Sequence, residues 1–234
     1  MDEPSRVLVV AAHPDDEVLG CGGTAARLVA EGHEVHFAIL GEGMTSRHAQ
    51  RSDADRVELT RLHQQAHAAA ERVGVKNVVL HKLPDNRLDT VPLLEVVKII
   101  EELVDRVKPE VVYTHHAGDL NIDHGVIHRA VLTATRPLPG QPVLEIYAFE
   151  VPSSTEWAFQ QIEPSFRPNV FVDVTRTIEA KIAAMECYGT EARKFPHPRS
   201  PEALRAISAR WGSVVGCQAA EAFELVRSIR RQLD

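Results

Sequence analysis

A histidine and three acidic residues follow the first apolar run of the chain. The stretch VLVVAAHPDDEVLGCGG begins at Val7 and places His13, Asp15, Asp16 and Glu17 after six apolar residues. Side chains three residues apart in a helical turn share a face, so the imidazole of His13 and the carboxylate of Asp16 can meet at one point. Imidazole and carboxylate groups are common ligands of zinc in proteins. Asp15 projects in a different direction from Asp16 and could act as a general base beside a zinc-bound water. Acids that only favour a helix N-terminus would not explain the histidine.

A second group of candidate ligands lies in the stretch THHAGDLNIDHGVIHRAV, whose histidines are His115, His116, His124 and His128. A catalytic zinc usually takes three protein ligands and leaves one position for water, so one histidine from this stretch would complete the site. We expect His124 to be that ligand, because it begins a helix after a strand and can point back over the sheet edge. His128 is better explained as a helix-surface histidine. Asp123 is a candidate acceptor for a ligating histidine or a solvated acid at the helix start.

The elements that must position these residues alternate between strand-like and helical patterns. Strand-like runs occur at Val7–Ala12, Val35–Leu40, Asn77–Leu80 and Val111–Thr114. Helical periods occur between them at Val18–Glu31, Asp53–Val73 and Leu93–Val107. This alternation predicts an α/β fold, with a Rossmann-like, largely parallel sheet and helices on both faces. Ligands of such sheets bind beyond the carboxyl ends of the strands, which is where both groups of candidate residues lie.

The rest of the chain predicts extensions of the same domain. Further strands are expected at Leu144–Val151 and Val170–Val174, and further helices at Arg176–Tyr188, Pro201–Trp211 and Ala219–Arg231. We expect one domain over residues 1–234, whose last third, from about residue 140, packs over the active edge. The glycines of GCGG after the first motif lack the dinucleotide spacing and favour close approach between helix and sheet.

Composition excludes several classes of protein. A net charge of −7 over 234 residues argues against a nucleic-acid partner, which would need a basic face. No stretch approaches the roughly 20 apolar residues of a membrane span. Three scattered cysteines without a C-x-x-C pair predict free thiols in a reducing compartment. A cytoplasmic protein is therefore expected.

The sequence AHPDDE after an initial strand, with a later DH opening a helix after the fourth, resembles the PIG-L/LmbE-like family of zinc-dependent N-deacetylases. The similarity covers most of the chain. It implies Zn²⁺, or another divalent transition metal, held by His13, Asp16 and His124. It also implies that Asp15 is the general base of a metal-assisted amide hydrolysis. Family members often form oligomers, so a homo-oligomer is compatible with the resemblance, although no patch of the sequence specifies one.

One position departs from the family pattern. Many members read H-P-D-H in the second motif, where the first histidine helps to stabilise the transition state, whereas this chain reads NIDH with Asn121 there. An amide can donate a hydrogen bond to an oxyanion but cannot transfer a proton at neutral pH. The general acid is therefore open between His115, His116 and a protonated Asp15.

The resemblance implies an acetamide of an N-acetylhexosamine-containing small molecule (a sugar, nucleotide sugar or glycoconjugate) as substrate, with release of acetate and a free amine. Two alternatives are a zinc amidase that removes a larger acyl group from a thiol or antibiotic-like conjugate, and a protein that binds without turnover. Candidate substrate contacts are Asp85, Arg87, His197 and Arg199. A plain turn at PDN and a rigid linker at KFPHPRS would explain these four residues about as well.

Overall fold

The computed structural model describes residues 4–45 and 56–231. The strands are β1 (Arg6–Ala11), β2 (Glu34–Gly41), β3 (Asn77–Leu83), β4 (Val111–His115), β5 (Glu145–Phe149), β6 (Val170–Asp173) and β7 (Ala220–Ser228). The α-helices are α1 (Asp16–Ala30), α2 (Arg56–Arg72), α3 (Leu93–Val107), α4 (Ile122–Ala134), α5 (Ile178–Cys187) and α6 (Pro201–Val215). The helix expected from Asp53 thus begins at Arg56 in the described part, because residues 53–55 lie outside it.

The strands form one sheet in the order β3-β2-β1-β4-β5-β7-β6. The first five strands pair in parallel, and β7 runs antiparallel between β5 and β6. One core cluster packs α1, α2 and α5 on one face, and a second packs α3 and α4 on the other. The predicted α/β architecture, a mostly parallel sheet with helices on both faces, is confirmed. No helix in the described residues is both long and apolar enough to cross a bilayer.

The helix expected over Ala219–Arg231 is wrong, because most of this segment is strand β7. Its first four residues are all buried, although Glu221 is charged, since β7 pairs with a strand on each side. The apolar residues recur at spacings that also fit a helix, so the pattern alone favoured the wrong element. Pairing in the middle of a sheet decided the structure over local propensity.

Two features hold α1 against the sheet. A Cβ on Gly20 would lie 2.2 Å from the ring of Phe149 in β5, so only glycine permits this approach of helix to sheet. Behind it, the Glu221 carboxylate accepts hydrogen bonds from the N–H groups of Gly23 (3.0 Å) and Thr24 (2.6 Å). The Lys181 ammonium donates to Glu221 Oε1 at 2.6 Å and to a carbonyl of α1 at 2.7 Å. These contacts fix the helix that carries the first motif.

Candidate active site

The structure brings His13, Asp16 and His124 together at the carboxyl edge of the sheet. His13 follows β1, Asp16 begins α1, and His124 lies in the first turn of α4. Asp16 Oδ2 lies 3.2 Å from His13 Nδ1 and 3.2 Å from His124 Nε2. Ligand atoms from the three residues all lie within 4.8 Å of one another, which is close enough for one metal ion to contact all three.

The electrostatics of this group favour a bound cation. The ring nitrogens of His124 are buried and neither makes a well-aligned hydrogen bond. Although burial lowers the pKa of His124, the charge of Asp16 and the contact with Asp119 raise it to about 9. Burial would raise the pKa of Asp16, but the charge and contacts of His124 hold it well below its ordinary value. The carboxylates therefore draw positive charge to this point, and a divalent metal would supply it.

Further carboxylates contact the imidazoles of His13 and His124 and orient them. His13 Nε2 lies 3.0 Å from Asp123 Oδ2 and 3.2 Å from Asp85 Oδ1. His124 Nδ1 lies 3.1 Å from Asp119 Oδ1. Such carboxylate–histidine pairs fix the orientation and raise the basicity of metal-binding imidazoles. Asp85, which was expected to contact substrate, thus contacts His13, and Asp123 contacts His13 rather than the adjacent histidine.

Asp119 is held in turn by the segment after β5. Its carboxylate accepts hydrogen bonds from the hydroxyls of Ser154 and of Thr155, the latter at 2.6 Å. Burial raises the pKa of Asp119, but the contact with His124 and its charge, and then these two hydrogen bonds, lower the pKa to about 2. Asp119 is therefore ionised at neutral pH. Sequence reasoning missed this residue, since the two hydroxyls that hold it lie 35 and 36 positions away in the chain.

Asp15 lies beside the three convergent residues and lines the same cavity as His13 and Asp16. Its φ of 116° and ψ of −29° lie outside the regions that residues with a side chain favour, at a cost of about 1–3 kcal/mol. Its carboxylate is buried, and Oδ2 accepts a hydrogen bond from Arg199 Nη1 at 2.5 Å. Burial raises the pKa of Asp15 well above its ordinary value, and the charge of Arg199 opposes that rise.

Arg199 lines the cavity and also contacts other side chains of the protein. Besides Asp15, its guanidinium lies 2.7 Å from Ser153 Oγ and 3.3 Å from Glu191 Oε2. Glu191 and Arg199 both line the cavity in front of Asp15. Nothing in the sequence pattern pointed to Glu191, because it lies in the polar segment after α5 with no motif around it.

The two histidines proposed as general acid do not line this cavity. His115 Nε2 accepts the N–H of Ala12 at 2.8 Å, and its ring stacks 3.9 Å from that of His124. Burial, and then the charge of His124, lower the pKa of His115 well below its ordinary value. His116 is turned to the other side, with Nδ1 2.7 Å from Glu224 Oε2 and Nε2 2.7 Å from a backbone carbonyl. His128 Nδ1 contacts the carbonyl of His115 at 2.8 Å.

Asn121 caps α4 and lines the cavity. Its Oδ1 accepts the N–H of Asp123 at 2.9 Å, and its Nδ2 donates to Asn86 Oδ1 at 2.9 Å. Asn121, which stands where many family members have a histidine, therefore contacts the side-chain amide of Asn86. Asn86 also lines the cavity.

The cavity in front of the convergent residues has a volume of about 240 Å³. Its walls include Met44, Asp85, Asn86, Asn121, Glu191 and Arg199. Arg87 and His197, which were also expected to contact substrate, are not among the residues that line this cavity. Arg87 is exposed beside the cavity-lining Asn86, and its carbonyl accepts hydrogen bonds from Thr90. His197 packs edge-on against Trp157, and its Nδ1 accepts the N–H of Arg199 at 3.1 Å.

Comparison with known proteins gives the family. Residues 8–135, which include both motifs, match the PIG-L family described as GlcNAc-PI de-N-acetylase. The chain is 28% identical to the uncharacterized deacetylase YaiS of Escherichia coli over 195 residues, covering 77% of this chain and 88% of the relative. It is 27% identical to the 4-oxalmesaconate hydratase of Pseudomonas putida over 231 residues, covering 90% of this chain and 83% of the relative.

Solved structures share the fold. The N,N'-diacetylchitobiose deacetylase of Pyrococcus horikoshii superposes with a TM-score of 0.75 at 20% identity, over 96% of this chain and 85% of that chain. The family match covers more than half of the 234 residues and contains the whole of the convergent group. The resemblance found in the two motifs is thus confirmed, and the chain belongs to the PIG-L family of N-deacetylases, hydrolases that act on non-peptide acetamide bonds.

Proposed function

We propose that the protein is a zinc-dependent N-deacetylase of an N-acetylhexosamine-containing small molecule, a sugar, nucleotide sugar or glycoconjugate. The observation that carries this proposal is the convergence of His13, Asp16 and His124 beside the buried carboxylate of Asp15, at a cavity of about 240 Å³. Several relatives are named as deacetylases of N-acetylglucosamine compounds, among them diacetylchitobiose.

His13, Asp16 and His124 would hold the metal. When bound, a divalent metal supplies Lewis-acid polarisation of the acetyl carbonyl and makes water more acidic. Asp15 takes the proton from the attacking water as the new C–O bond forms. The C–N bond then breaks, so that the acetyl group leaves as acetate and the sugar keeps a free amine.

Asp15 is also our candidate for the general acid that returns this proton to the leaving amine. Of the candidates for general acid, His115 and His116 lie outside the cavity, and the amide of Asn121 has no acidic proton. Burial raises the pKa of Asp15, which favours its holding a proton midway through the reaction, while the charge of Arg199 limits that rise. One carboxylate would thus serve as base and then as acid.

The size and lining of the cavity support a single sugar as the recognised unit. A volume of about 240 Å³ is below the roughly 300–1,000 Å³ of pockets for drug-sized ligands. The polar groups of Asn86, Asn121, Glu191 and Arg199 face it and suit the hydroxyls of a hexosamine. The remainder of a conjugate would lie outside the cavity. Asp85 and Arg199 remain our candidates near substrate, with Arg87 and His197 at greater distance.

The remaining properties follow from composition. We infer a cytoplasmic location from the unpaired Cys21, Cys187 and Cys217, and no nucleic-acid partner from the net charge of −7. A homo-oligomer is compatible with the proposal, which requires no residue from a second copy.

Acetate release tests the proposal. The zinc-loaded protein is incubated separately with N-acetylglucosamine, diacetylchitobiose, an N-acetylglucosaminyl nucleotide and an N-acetylglucosaminyl glycolipid. Acetate and free amine are both measured, and hydrolysis should release them in equal amounts. We expect turnover of at least one of them. N-propionyl and N-octanoyl glucosamine are run beside them, because preference for a longer acyl group would favour the amidase alternative. No release from any of these compounds would contradict the proposal.

Hydration is a second candidate, favoured by the relative named as a hydratase over 90% of this chain. Addition of water to a carbon–carbon double bond would use the same metal ligands and the same base. Incubation with 4-oxalmesaconate, followed by loss of its ultraviolet absorbance, separates the two reactions. Consumption of this compound without acetate release from the sugars would establish hydration instead.

A further inference from the structure

We infer that the buried pair Glu17 and Tyr188 positions the Asp15 carboxylate for proton transfer, so that both are positioning residues for the reaction. The inference rests on the proposed function, because it concerns the group assigned there as the general base. Neither residue lines the cavity. Each acts through the conformation of Asp15.

Glu17 holds the backbone of Asp15 in its unusual conformation. The φ of Asp15 is 116°, a value that residues with a side chain rarely adopt, so the surroundings must maintain it. The N–H of Asp15 donates to Glu17 Oε2 at 3.0 Å, and its carbonyl accepts the N–H groups of Val18 and Leu19. The first contact is the only one of these that depends on a side chain. Glu17 therefore holds the backbone conformation from which the Asp15 side chain projects, whereas Arg199 contacts the carboxylate itself.

Tyr188 holds Glu17 in turn. Both side chains are fully buried, and the Tyr188 hydroxyl donates to Glu17 Oε1 at 2.5 Å. Without this hydroxyl, one oxygen of a buried carboxylate would lose its hydrogen-bond donor, which is costly away from water. The carboxylate would then turn toward another donor, and its bond to Asp15 would weaken.

The same tyrosine begins the segment that contacts Asp15 from the other side. The carbonyl of Tyr188 accepts the N–H of Glu191 at 2.9 Å, and Glu191 lies 3.3 Å from the guanidinium of Arg199. Arg199 contacts the Asp15 carboxylate. Glu17, Tyr188, Glu191 and Arg199 thus form a closed ring of contacts around Asp15. The ring joins the first motif to a segment 171 residues later in the chain.

The Tyr188→Phe variant tests the inference, since it removes one oxygen and keeps the ring. We expect kcat for acetate release to fall about tenfold or more, KM to stay within about twofold, and zinc content to stay unchanged. The matched control is Tyr147→Phe, because the Tyr147 hydroxyl also donates to a glutamate, Glu145, at 2.6 Å but away from the cavity. We expect this control to keep the wild-type kcat.

Two substitutions of Glu17 separate positioning from proton transfer. Glu17→Gln keeps an oxygen that can accept the N–H of Asp15, so we expect it to retain several-fold more activity than Glu17→Ala. Equal and complete loss in both variants would indicate a proton relay and overturn the inference. Tyr188→Phe combined with Glu17→Ala should be no slower than Glu17→Ala alone, because the tyrosine acts only through the glutamate.

A crystal structure of Tyr188→Phe supplies a readout that does not depend on activity. We expect the φ of Asp15 to leave the positive region, or its carboxylate to turn from Arg199, while His13 and Asp16 stay in place. Wild-type kcat with unchanged Asp15 geometry would overturn the inference, and so would loss of zinc from this variant. A wild-type protein without any acetate release would contradict the proposed function, whereas the crystal structures would still decide the positioning role.

Discussion

The guanidinium of Arg199 lies against the carboxylate of Asp15, with Nη1 2.5 Å from Oδ2. Both groups are largely withdrawn from water, with 21% of the arginine side chain and 3% of the aspartate side chain exposed. Burial raises the pKa of Asp15 and so favours its protonated form, which cannot act as a base. The charge of Arg199 opposes that rise. The pair therefore limits the rise in the pKa of a buried carboxylate that lies next to His13 and Asp16.

Replacing Arg199 should move the pH profile of the reaction. Arg199→Met removes the charge that favours ionised Asp15, so the pKa of Asp15 rises further. The base then becomes protonated at higher pH, and activity is lost earlier as the pH falls. We expect the acidic limb of kcat/KM against pH to shift upward by about 1 unit or more.

The control for this profile is Arg205→Met. Arg205 forms an exposed ion pair with Glu179, with Nη2 2.7 Å from Oε2, and lies outside the cavity. Its removal should leave the acidic limb unchanged. An unchanged limb in Arg199→Met as well would show that Arg199 does not govern the ionisation of Asp15.

Asp15 and Asp16 should separate metal binding from proton transfer. Asp15→Ala is expected to lower kcat by about 10²–10⁴-fold, as loss of a general base does, with zinc content nearly unchanged. Asp16→Ala should lose the metal, because Asp16 Oδ2 lies 3.2 Å from both His13 and His124. Metal analysis of the dialysed variants decides the matter. Loss of metal from Asp15→Ala would reverse the roles of the two residues.

The convergence of His13, Asp16 and His124 could be predicted from the sequence because it follows from topology. His13 comes after one parallel strand and His124 after another that pairs with it, and the carboxyl ends of such strands meet at one edge. The parallel part of the sheet was predictable for the same reason, since strands and helices alternate with clear periods.

Other features could not be predicted from the sequence, because contacts between distant parts of the chain determine them. Whether β7 is strand or helix was decided by its place between two strands, which local periodicity does not record. His115 and His116 are adjacent to the site in sequence, yet their nitrogens are taken by a backbone N–H and by Glu224. The pairing of Arg199 with Asp15 spans 184 positions and has no local signal.

Metal binding should stabilise the folded protein. An ion that binds only the folded state, at a free concentration of about 100 times its Kd, adds about 2.7 kcal/mol, which corresponds to a rise in Tm of about 5–10 °C for a chain of this size. Removal of metal with a chelator should lower Tm by that amount, and added zinc should restore it. Asp16→Ala should show no such response to zinc. An equal response in that variant would place the stabilising metal elsewhere.

Asn121 should contribute to catalysis through its amide, apart from its role at the start of α4. Asn121→Ala removes both the cap, worth about 1 kcal/mol, and the amide donor, and we expect turnover to slow about tenfold or more. Asn121→Ser keeps an oxygen that can accept the N–H of Asp123 but removes the donor. Comparable slowing in the serine variant, with near-normal Tm, would assign the effect to the donor. Normal turnover in both would remove Asn121 from the reaction.

Lys181 should be essential to stability because it neutralises a buried acid. Its ammonium lies 2.6 Å from Glu221 Oε1, and 6% and 4% of the two side chains are exposed. Lys181→Met leaves the Glu221 carboxylate buried without its counter-ion, a change that costs about 3–5 kcal/mol. We expect this loss in the free energy of unfolding measured with urea.

The double variant Lys181→Met with Glu221→Gln should recover part of that loss. The glutamine carries no charge, and its oxygen can still accept an N–H from Gly23 or Thr24, both of which donate to Glu221. Arg205→Met removes an exposed ion pair and should cost less than about 1 kcal/mol. Two outcomes would show that Lys181 does not offset the buried charge of Glu221. One is a loss of stability in Lys181→Met no larger than the loss in Arg205→Met, and the other is a double variant less stable than Lys181→Met. The expected order of stability follows from burial: the penalty is large where water cannot solvate the abandoned carboxylate and small where it can.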